Sequence, residues 1–580
     1  MYIPKWLATM MVHSARLLLH DVRLHCRHNL ERMWSRSERK VLRMADSAKV
    51  PMIHDVLIVG AGPCGLAVAA RLREQTPSAL FTDEEHRRFH WLAKHGRRSS
   101  IKDKRNGRTK FASSQHIERA QPSMHVLDSS GNDWMTKWHR LFQALQIEHL
   151  RSPMFFHPHP QDRDALLAYA HAGGRSSELA EITGCVGKEI SKHRKKKRAG
   201  CVRCGAARPT DIDERDRQDY FTPSTVLFNE FCDEMINQYG LNRDIVTQET
   251  VTFLDYGQTE YGAAELFTVK TDRSTHYARA VVMATGPGET PRIPAPFGPC
   301  SEGATHASRL KSGHLLDKHL ADKIRRQRPT NVLVIGGGLT SAQITDALIR
   351  SGVSKVWHLV RSPLRVKPFD VDLPWMGKYR NKEKAAFWMA DDDEERAAFL
   401  RQAIGGGSVT PRYYKLLQKH MRSGRLGLYT NTVVKCQSRC QESGLSQIQT
   451  QPSIPDLPDM DFVYFATGMQ GGIDGNPVLQ SFSARFPVDN IGGLPALTDD
   501  LTWKKDIPLF LTGKLASLRL GPGAGNLEGA RMGAERIALA MGDVLGSGDG
   551  DAGVIEGESQ AAMRYASGLG SRYEALDFDE

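Results

Sequence analysis

The chain has 580 residues, 40% hydrophobic and 25% charged, a globular composition that excludes a chain disordered throughout. No run reaches the roughly 18 consecutive apolar residues of a membrane span, and at about 150 residues per domain the length allows three or four folding units. The net charge of +12 sits in two segments: residues 1–43 hold nine Lys/Arg against three acids, and residues 188–198 hold seven against one. No nucleic-acid-reading module accompanies either run, so nucleic acid is set aside as a partner.

Residues 1–51 read as a basic, poorly ordered extension; Asp21, Glu31 and Glu38 disfavour a mitochondrial presequence. The first clear element starts at His54. Residues His54–Gln75 are a run of β-formers, a glycine turn and an apolar helix, with Gly60, Gly62 and Gly65 spaced G-x-G-x-x-G. The first glycine permits the turn, the second lets backbone approach a pyrophosphate, and the third lets helix close on strand. A second strand, Ala79–Thr82, ends on Asp83 and Glu84. Carboxylates there accept hydrogen bonds from both ribose hydroxyls, which favours FAD or NAD over a phosphorylated ribose.

Segments 96–122 and 172–218 are polar and charge-rich, and are expected to be mobile surface insertions. The nine cysteines are irregularly spaced, which favours a reducing compartment and a cytoplasmic location. Cys201-x-x-Cys204 and the His157–Pro160 stretch lack the partners that chelation needs, so no metal is expected. An apolar strand then ends in Ala284-Thr285-Gly286, where small residues let backbone approach a cofactor.

Residues Asn331–Gly352 repeat the first unit with Gly336, Gly338 and, in the third place, Ser341. The next strand, Lys355–Val360, ends on Arg361, with Arg365 and Lys367 behind it. Cations at that end pair with a phosphorylated ribose, so this turn should prefer NADPH to NADH. Asp391–Gln402 places acids at a helix start, where they suit the dipole. A second apolar strand ends in Ala466-Thr467-Gly468, and the stretch after Gly546 reads as a flexible exit.

The order of glycine turn, A-T-G, glycine turn, A-T-G implies an α/β fold of two Rossmann-like dinucleotide-binding domains, the NADPH domain inserted into the FAD domain. The expected boundaries are 52–300 and 440–545 for the FAD domain, 325–438 for the NADPH domain, and 546–580 for the tail.

This arrangement resembles the class B flavin monooxygenases, and several segments look like those of the ornithine and lysine N-hydroxylases. Phe89-His90-Trp91, Leu150-Arg151-Ser152-Pro153, Arg361–Trp375 and Gly406–Tyr414 resemble family elements. So does the closing stretch around Gly513, Asn526 and Leu527, which the resemblance places beneath the flavin ring. The resemblance implies FAD, NADPH and dioxygen, with oxygen passed from a flavin hydroperoxide to a small-molecule nucleophile, such as an amine that is N-hydroxylated. It also places Gln146, His149, Arg151 and His157 near the flavin face as candidates for contact with the chemistry.

The chain departs from that family at two places. Leu145 and Gln146 stand where the N-hydroxylases carry a substrate-binding lysine, and the F-x-G-x-x-x-H fingerprint is present only as Phe297, Gly303 and His306 at other spacings. These departures keep open a flavin-binding regulator with little turnover, and a flavin-dependent NADPH oxidase or disulfide reductase.

Overall fold

A computed structural model of the chain describes residues 51–74, 100–102, 109–111, 121–186 and 214–546, apart from 162, 242, 262–263, 287, 289, 299–301, 312 and 377–379. The chain divides into a small unit, Met1–Met52 with Thr259–Ala263, and a large one, Ile53–Gln258 with Ala264–Glu580. The large unit holds the two largest sheets.

The first sheet has eight strands. In chain order they are β1 (Ile53–Val59), β2 (Met124–Leu127), β3 (Val246–Thr247), β4 (Val251–Gln258), β5 (Glu265–Thr271) and β6 (Thr275–Met283), with β12 (Thr502–Lys504) and β13 (Ile507–Leu511) returning late. Their spatial order is β12-β13-β6-β1-β2-β3, and β4 and β5 branch off the first half of β6. Strands β13, β6, β1, β2 and β3 run parallel. Val56–Val59 are all buried, as a central strand paired on both sides in a parallel sheet is, which explains the unbroken apolar run.

The second sheet has five parallel strands in the order β7 (Ala304–His306), β11 (Phe462–Phe465), β8 (Asn331–Ile335), β9 (Lys355–Val360), β10 (Leu426–Thr430). One boundary moves. The strand ending in Ala466-Thr467-Gly468 falls within the segment expected to return to the first domain, yet β11 pairs with both β7 and β8 in the second sheet. Its apolar run needs two paired neighbours, and the first sheet is rejoined only at β12.

Five helices position the site: α1 (Pro63–Arg73), α2 (Leu339–Arg350), α3 (Asp393–Ile404), α4 (Pro411–Arg422) and α5 (Leu527–Gly546). Asp392 caps α3 and Thr410 caps α4 with side-chain oxygens, while α1 and α2 begin on Gly62 and Gly338 with no side-chain cap. Their first N–H groups are left for something other than a side chain.

The segment 172–218 differs from expectation where it is described. Leu179–Glu181 pairs antiparallel with Phe221–Pro223, and Ile182 and Cys185 are buried in the first core. Ile182 and Cys185 dock its described near end against that core. Segment 96–122 is described only in part, and the basic run 188–198, the extension before residue 51 and the tail beyond 546 lie outside the described residues.

Candidate dinucleotide site

The two glycine turns repeat one construction. Gly60 has φ +112°, and a Cβ there would meet the Ala284 carbonyl oxygen at 2.4 Å. Gly336 has φ +156°, and its Cβ would meet the Ala466 oxygen at 2.3 Å. Each first glycine therefore rests on the alanine of an A-T-G segment. The ladders agree: Ala284 N–H donates to Val59 O and Ala466 N–H to Ile335 O, both at 2.8 Å. Gly65 lies so close to Gly60 O that a Cβ would approach to 2.0 Å, as helix-on-strand packing requires. Ser341 fills that third place in the second turn, buried, its hydroxyl donating to Gly338 O at 2.7 Å.

Around Gly62 no described residue lies within 4 Å of a Cβ position, and the same holds at Gly286 and Gly468. An open glycine at an uncapped helix N-terminus fits a pyrophosphate group. Gly513 (φ +69°) ends β13 beside the Cys64 sulfur, whose thiol burial pushes up to about 11. Asn526 Oδ1 accepts from Glu528 N–H at 2.9 Å and so starts α5, with Leu527 buried behind it. The α5 helix packs on α1 through the Arg71–Glu535 pair at 2.5 Å.

The two exits cross. Arg292 N–H donates to Gly468 O at 3.0 Å, Gln470 N–H donates to Thr290 O at 2.7 Å, and Thr467 Oγ1 donates to Arg292 O. Chain leaving Ala284-Thr285-Gly286 is thus stitched to chain leaving Ala466-Thr467-Gly468. Lys514 is crowded against Gly471 at this crossing; desolvation chiefly, then Arg292, lowers the pKa of its ammonium.

The ribose acids expected at Asp83 and Glu84 lie outside the described residues. Among the described residues β1 lies between β6 and β2, and Asp128 directly follows β2. Asp128 Oδ2 accepts from Ala61 N–H at 2.8 Å and Oδ1 from Ser130 N–H at 2.7 Å, which fixes the carboxylate over the first turn. Sequence reasoning missed this residue. Its signal, an apolar strand ending in an acid (M-H-V-L-D), is the one applied to Ala79–Asp83.

At the second turn, Arg361 follows β9 and is exposed; Arg365 is also exposed, with its guanidinium against Gly405. The four candidates near the chemistry do not form one cluster. Gln146, in a left-handed conformation, accepts from Arg350 Nη1 at 2.8 Å. His149 Nδ1 stands 3.2 Å from Arg412 Nη1; burial first, then that arginine, holds its pKa low. Arg151 donates to backbone carbonyls of Lys367 and Pro368 at 3.1 and 3.2 Å, to that of Phe369, and to Ser408 Oγ at 2.8 Å. His157 is buried in the first core, with its Nε2 2.9 Å from Arg163 O and its ring edge-on to Phe231. Residues 144–151 therefore form a strip joining the two halves, with Leu145 packed in the second core.

Residues 218–471, a little under half of the chain, match the family of L-lysine 6-monooxygenase/L-ornithine 5-monooxygenase. The ornithine N-hydroxylase of Kutzneria sp. 744, solved with reduced FAD, NADP+ and L-ornithine, shares the fold at 17% identity and a TM-score of 0.54, covering 84% of this chain and 99% of that one. The ornithine hydroxylase of Pseudomonas aeruginosa gives 15% identity and a TM-score of 0.52 over 85% of this chain and all of that one. The FAD-bound cadaverine monooxygenase of Erwinia amylovora gives 13% and 0.50 over 84% of this chain and 94% of its own. An oxidoreductase of Bacillus velezensis, CzcO, is 34% identical over 125 residues, so the chain spans about 30% of that curated relative's length and matches it over 22% of its own. The fold is thus the two-domain α/β fold of the flavin monooxygenases. No helix among the described residues is long and apolar enough to cross a membrane.

Proposed function

We propose that the chain binds FAD on the Gly60 turn and NADPH on the Gly336 turn, and uses dioxygen to oxygenate a small-molecule nucleophile, N-hydroxylation of an amine being the leading reaction. The observation that carries this reading is the pair of equivalent turns, each seated on an A-T-G alanine, with their exits crossing at residues 290–292 and 468–470. The match over residues 218–471 supports the reaction class. When bound, the two cofactors supply the hydride transfer and oxygen activation that side chains cannot.

The chain's residues bind and orient. The uncapped N-terminus of α1 with Gly62 takes the FAD pyrophosphate. Asp128 keeps acceptor capacity on both oxygens after its two backbone bonds, enough for the ribose hydroxyls. Gly286 and Gly513 would let backbone come close to a bound flavin, and Asn526 fixes the start of α5. At the second turn, Gly338 and the N-terminus of α2 take the NADPH pyrophosphate, while Arg361 and Arg365 face the ribose phosphate. The crossing at Arg292 and Gly468 ties the two exits together, so cofactors held on the two turns would be kept in a fixed relation to each other. The five cysteines among the described residues are free, which favours a cytoplasmic setting.

A second reading, an NADPH oxidase or flavin-binding regulator with little coupled turnover, is favoured by one observation: Leu145 is buried and Gln146 is committed to Arg350, so neither can take the substrate role of a lysine there. NADPH consumption and hydrogen peroxide release, measured across a panel of amines, amino acids, sulfides and ketones, separate the two. Peroxide suppressed by one compound, with an oxygenated product, establishes the monooxygenase. Peroxide equal to NADPH consumed under every condition establishes the oxidase, and absence of NADPH consumption the regulator.

A further inference from the structure

We propose that Arg151 is a positioning residue for the nicotinamide dinucleotide: anchored in the first half of the molecule, it fixes the Gly405–Gly407 loop as the wall facing the second glycine turn. The inference rests on the reading that this turn takes NADPH.

Arg151 is largely buried and is spent on backbone. Its guanidinium reaches the carbonyls of Lys367, Pro368 and Phe369 and the hydroxyl of Ser408, more than 215 residues away in sequence. Ser408 is itself buried, at 3% exposure. The two segments it joins are also laced together, since Lys367 N–H donates to Val409 O and Val409 N–H to Arg365 O, each at 2.9 Å. Lys367 Nζ adds a bond to Ile404 O at 2.9 Å, tying in the last turn of α3. Only a planar fork with five donors serves so many acceptors from one place; an ammonium presents three donors from a single atom.

Three glycines run from the end of α3 to Ser408. Gly405 and Gly406 have φ of +64° and +96°, so the chain turns back there. Gly407 then lies on the turn: a Cβ on it would be 3.1 Å from both the Cα and the N of Gly338. In the other direction, Gly407 Cα is the one atom within 4 Å of a Cβ built on Gly338. The matching position in the first turn, Gly62, has no such neighbour among the described residues. The second cradle thus has a backbone wall that the described residues do not give the first, with Arg365 resting on Gly405. Arg151 sets that wall from the opposite side, so its loss changes the dinucleotide site without touching it.

The test uses the FAD-loaded full chain. NADP+ is titrated into wild type, Arg151→Lys and Gly407→Ala by calorimetry, and the KM for NADPH and the flavin reduction rate at saturating NADPH are measured alongside. Both variants are expected to weaken NADP+ about tenfold or more, which is about 1.4 kcal/mol, and to raise KM to match. FAD content and the saturated reduction rate should stay within about twofold of wild type, a split that merely loosened folding would not give. Gly407→Ala carries the test if Arg151→Lys does not fold, because its Cβ meets Gly338 with the arginine intact. NADP+ affinities within about twofold of a wild type that does bind would overturn the inference alone. A wild type that neither binds NADP+ nor is reduced by NADPH would overturn the underlying reading as well.

Discussion

The Asp128 carboxylate holds the backbone N–H of Ala61 at 2.8 Å, so the acid that follows β2 is locked onto the glycine turn that ends β1. An acid in that place is set to receive ribose hydroxyls from a nucleotide seated on the turn. Each charge-assisted hydrogen bond contributes about 1.5–3 kcal/mol, so Asp128→Ala should weaken FAD about tenfold to a hundredfold or more. Asp83→Asn and Glu84→Gln should leave FAD affinity unchanged. Flavin content after gel filtration, followed by fluorescence titration of the apoprotein, measures both. Equal flavin loss in the Asp83 and Asp128 variants would return the role to the first of them.

What the sequence made legible was local. A glycine turn after an apolar strand, and A-T-G after another, are written in contiguous residues, and the structure places Gly60 on Ala284 and Gly336 on Ala466 as that grammar implies. The acid sought at Asp83 and Glu84 lies outside the described residues, while Asp128 comes beside the first turn only through the long-range pairing of Val56 with Met124. Arg151 is a sequence candidate near the flavin face, but its actual partners were hidden for a similar reason. Its partners at 367–369 and 408 are brought together by two separate loops, and no spacing in the sequence encodes that meeting. The β11 strand shows the converse: its sequence was read correctly as a buried strand, while its sheet was not, since an apolar run fits either.

Gly60→Ala and Gly336→Ala should separate the two cofactors. Each new Cβ meets a carbonyl oxygen at 2.4 or 2.3 Å, with backbone φ positive at both sites. Neither neighbour is a movable side chain, so a destabilisation of about 2–4 kcal/mol is expected at each turn. Gly60→Ala should purify without flavin. Gly336→Ala should keep flavin and lose reduction by NADPH, read as bleaching of the flavin band under anaerobic mixing. Both variants losing the same cofactor would contradict the assignment of one dinucleotide to each turn.

Coenzyme preference should reside in the cations after β9. Arg361 and Arg365 are exposed and free to meet a ribose phosphate in water, where such a pair contributes on the order of 1–2 kcal/mol. Arg361→Ala with Arg365→Ala should therefore raise the KM for NADPH about tenfold or more while leaving that for NADH within about twofold. Steady-state kinetics with both coenzymes decides it. A parallel rise in both values would show that the arginines support the fold rather than read the phosphate.

Acid should destabilise the first sheet from one end. His54, His125 and His276 stack where β1, β2 and β6 begin, with ring centroids 4.9 Å apart for the first pair and 5.1 Å for His125 and His276. Glu249 closes the group, accepting from Ser274 Oγ at 2.6 Å and standing 3.0 Å from His276 Nε2. Asp55 and Arg279 are the other charged groups beside it. Burial first, then the neighbouring rings, depresses His125 to about 4, and burial with His276 depresses His54. A histidine whose folded pKa is depressed binds fewer protons folded than unfolded, so its stability is full above about 6.5 and falls as pH drops toward the folded value. Glu249, held at about 2 by its hydroxyl and histidine partners against the cost of burial, adds a second loss as pH falls below the usual carboxylate value near 4.5. The midpoint of urea unfolding should therefore be flat from pH 8 to 7, decline from about 6.5, and steepen below about 4.5. His125→Gln should flatten the first decline and leave the second. A midpoint that holds steady down to pH 4.5 would mean that the cluster takes up its protons without strain.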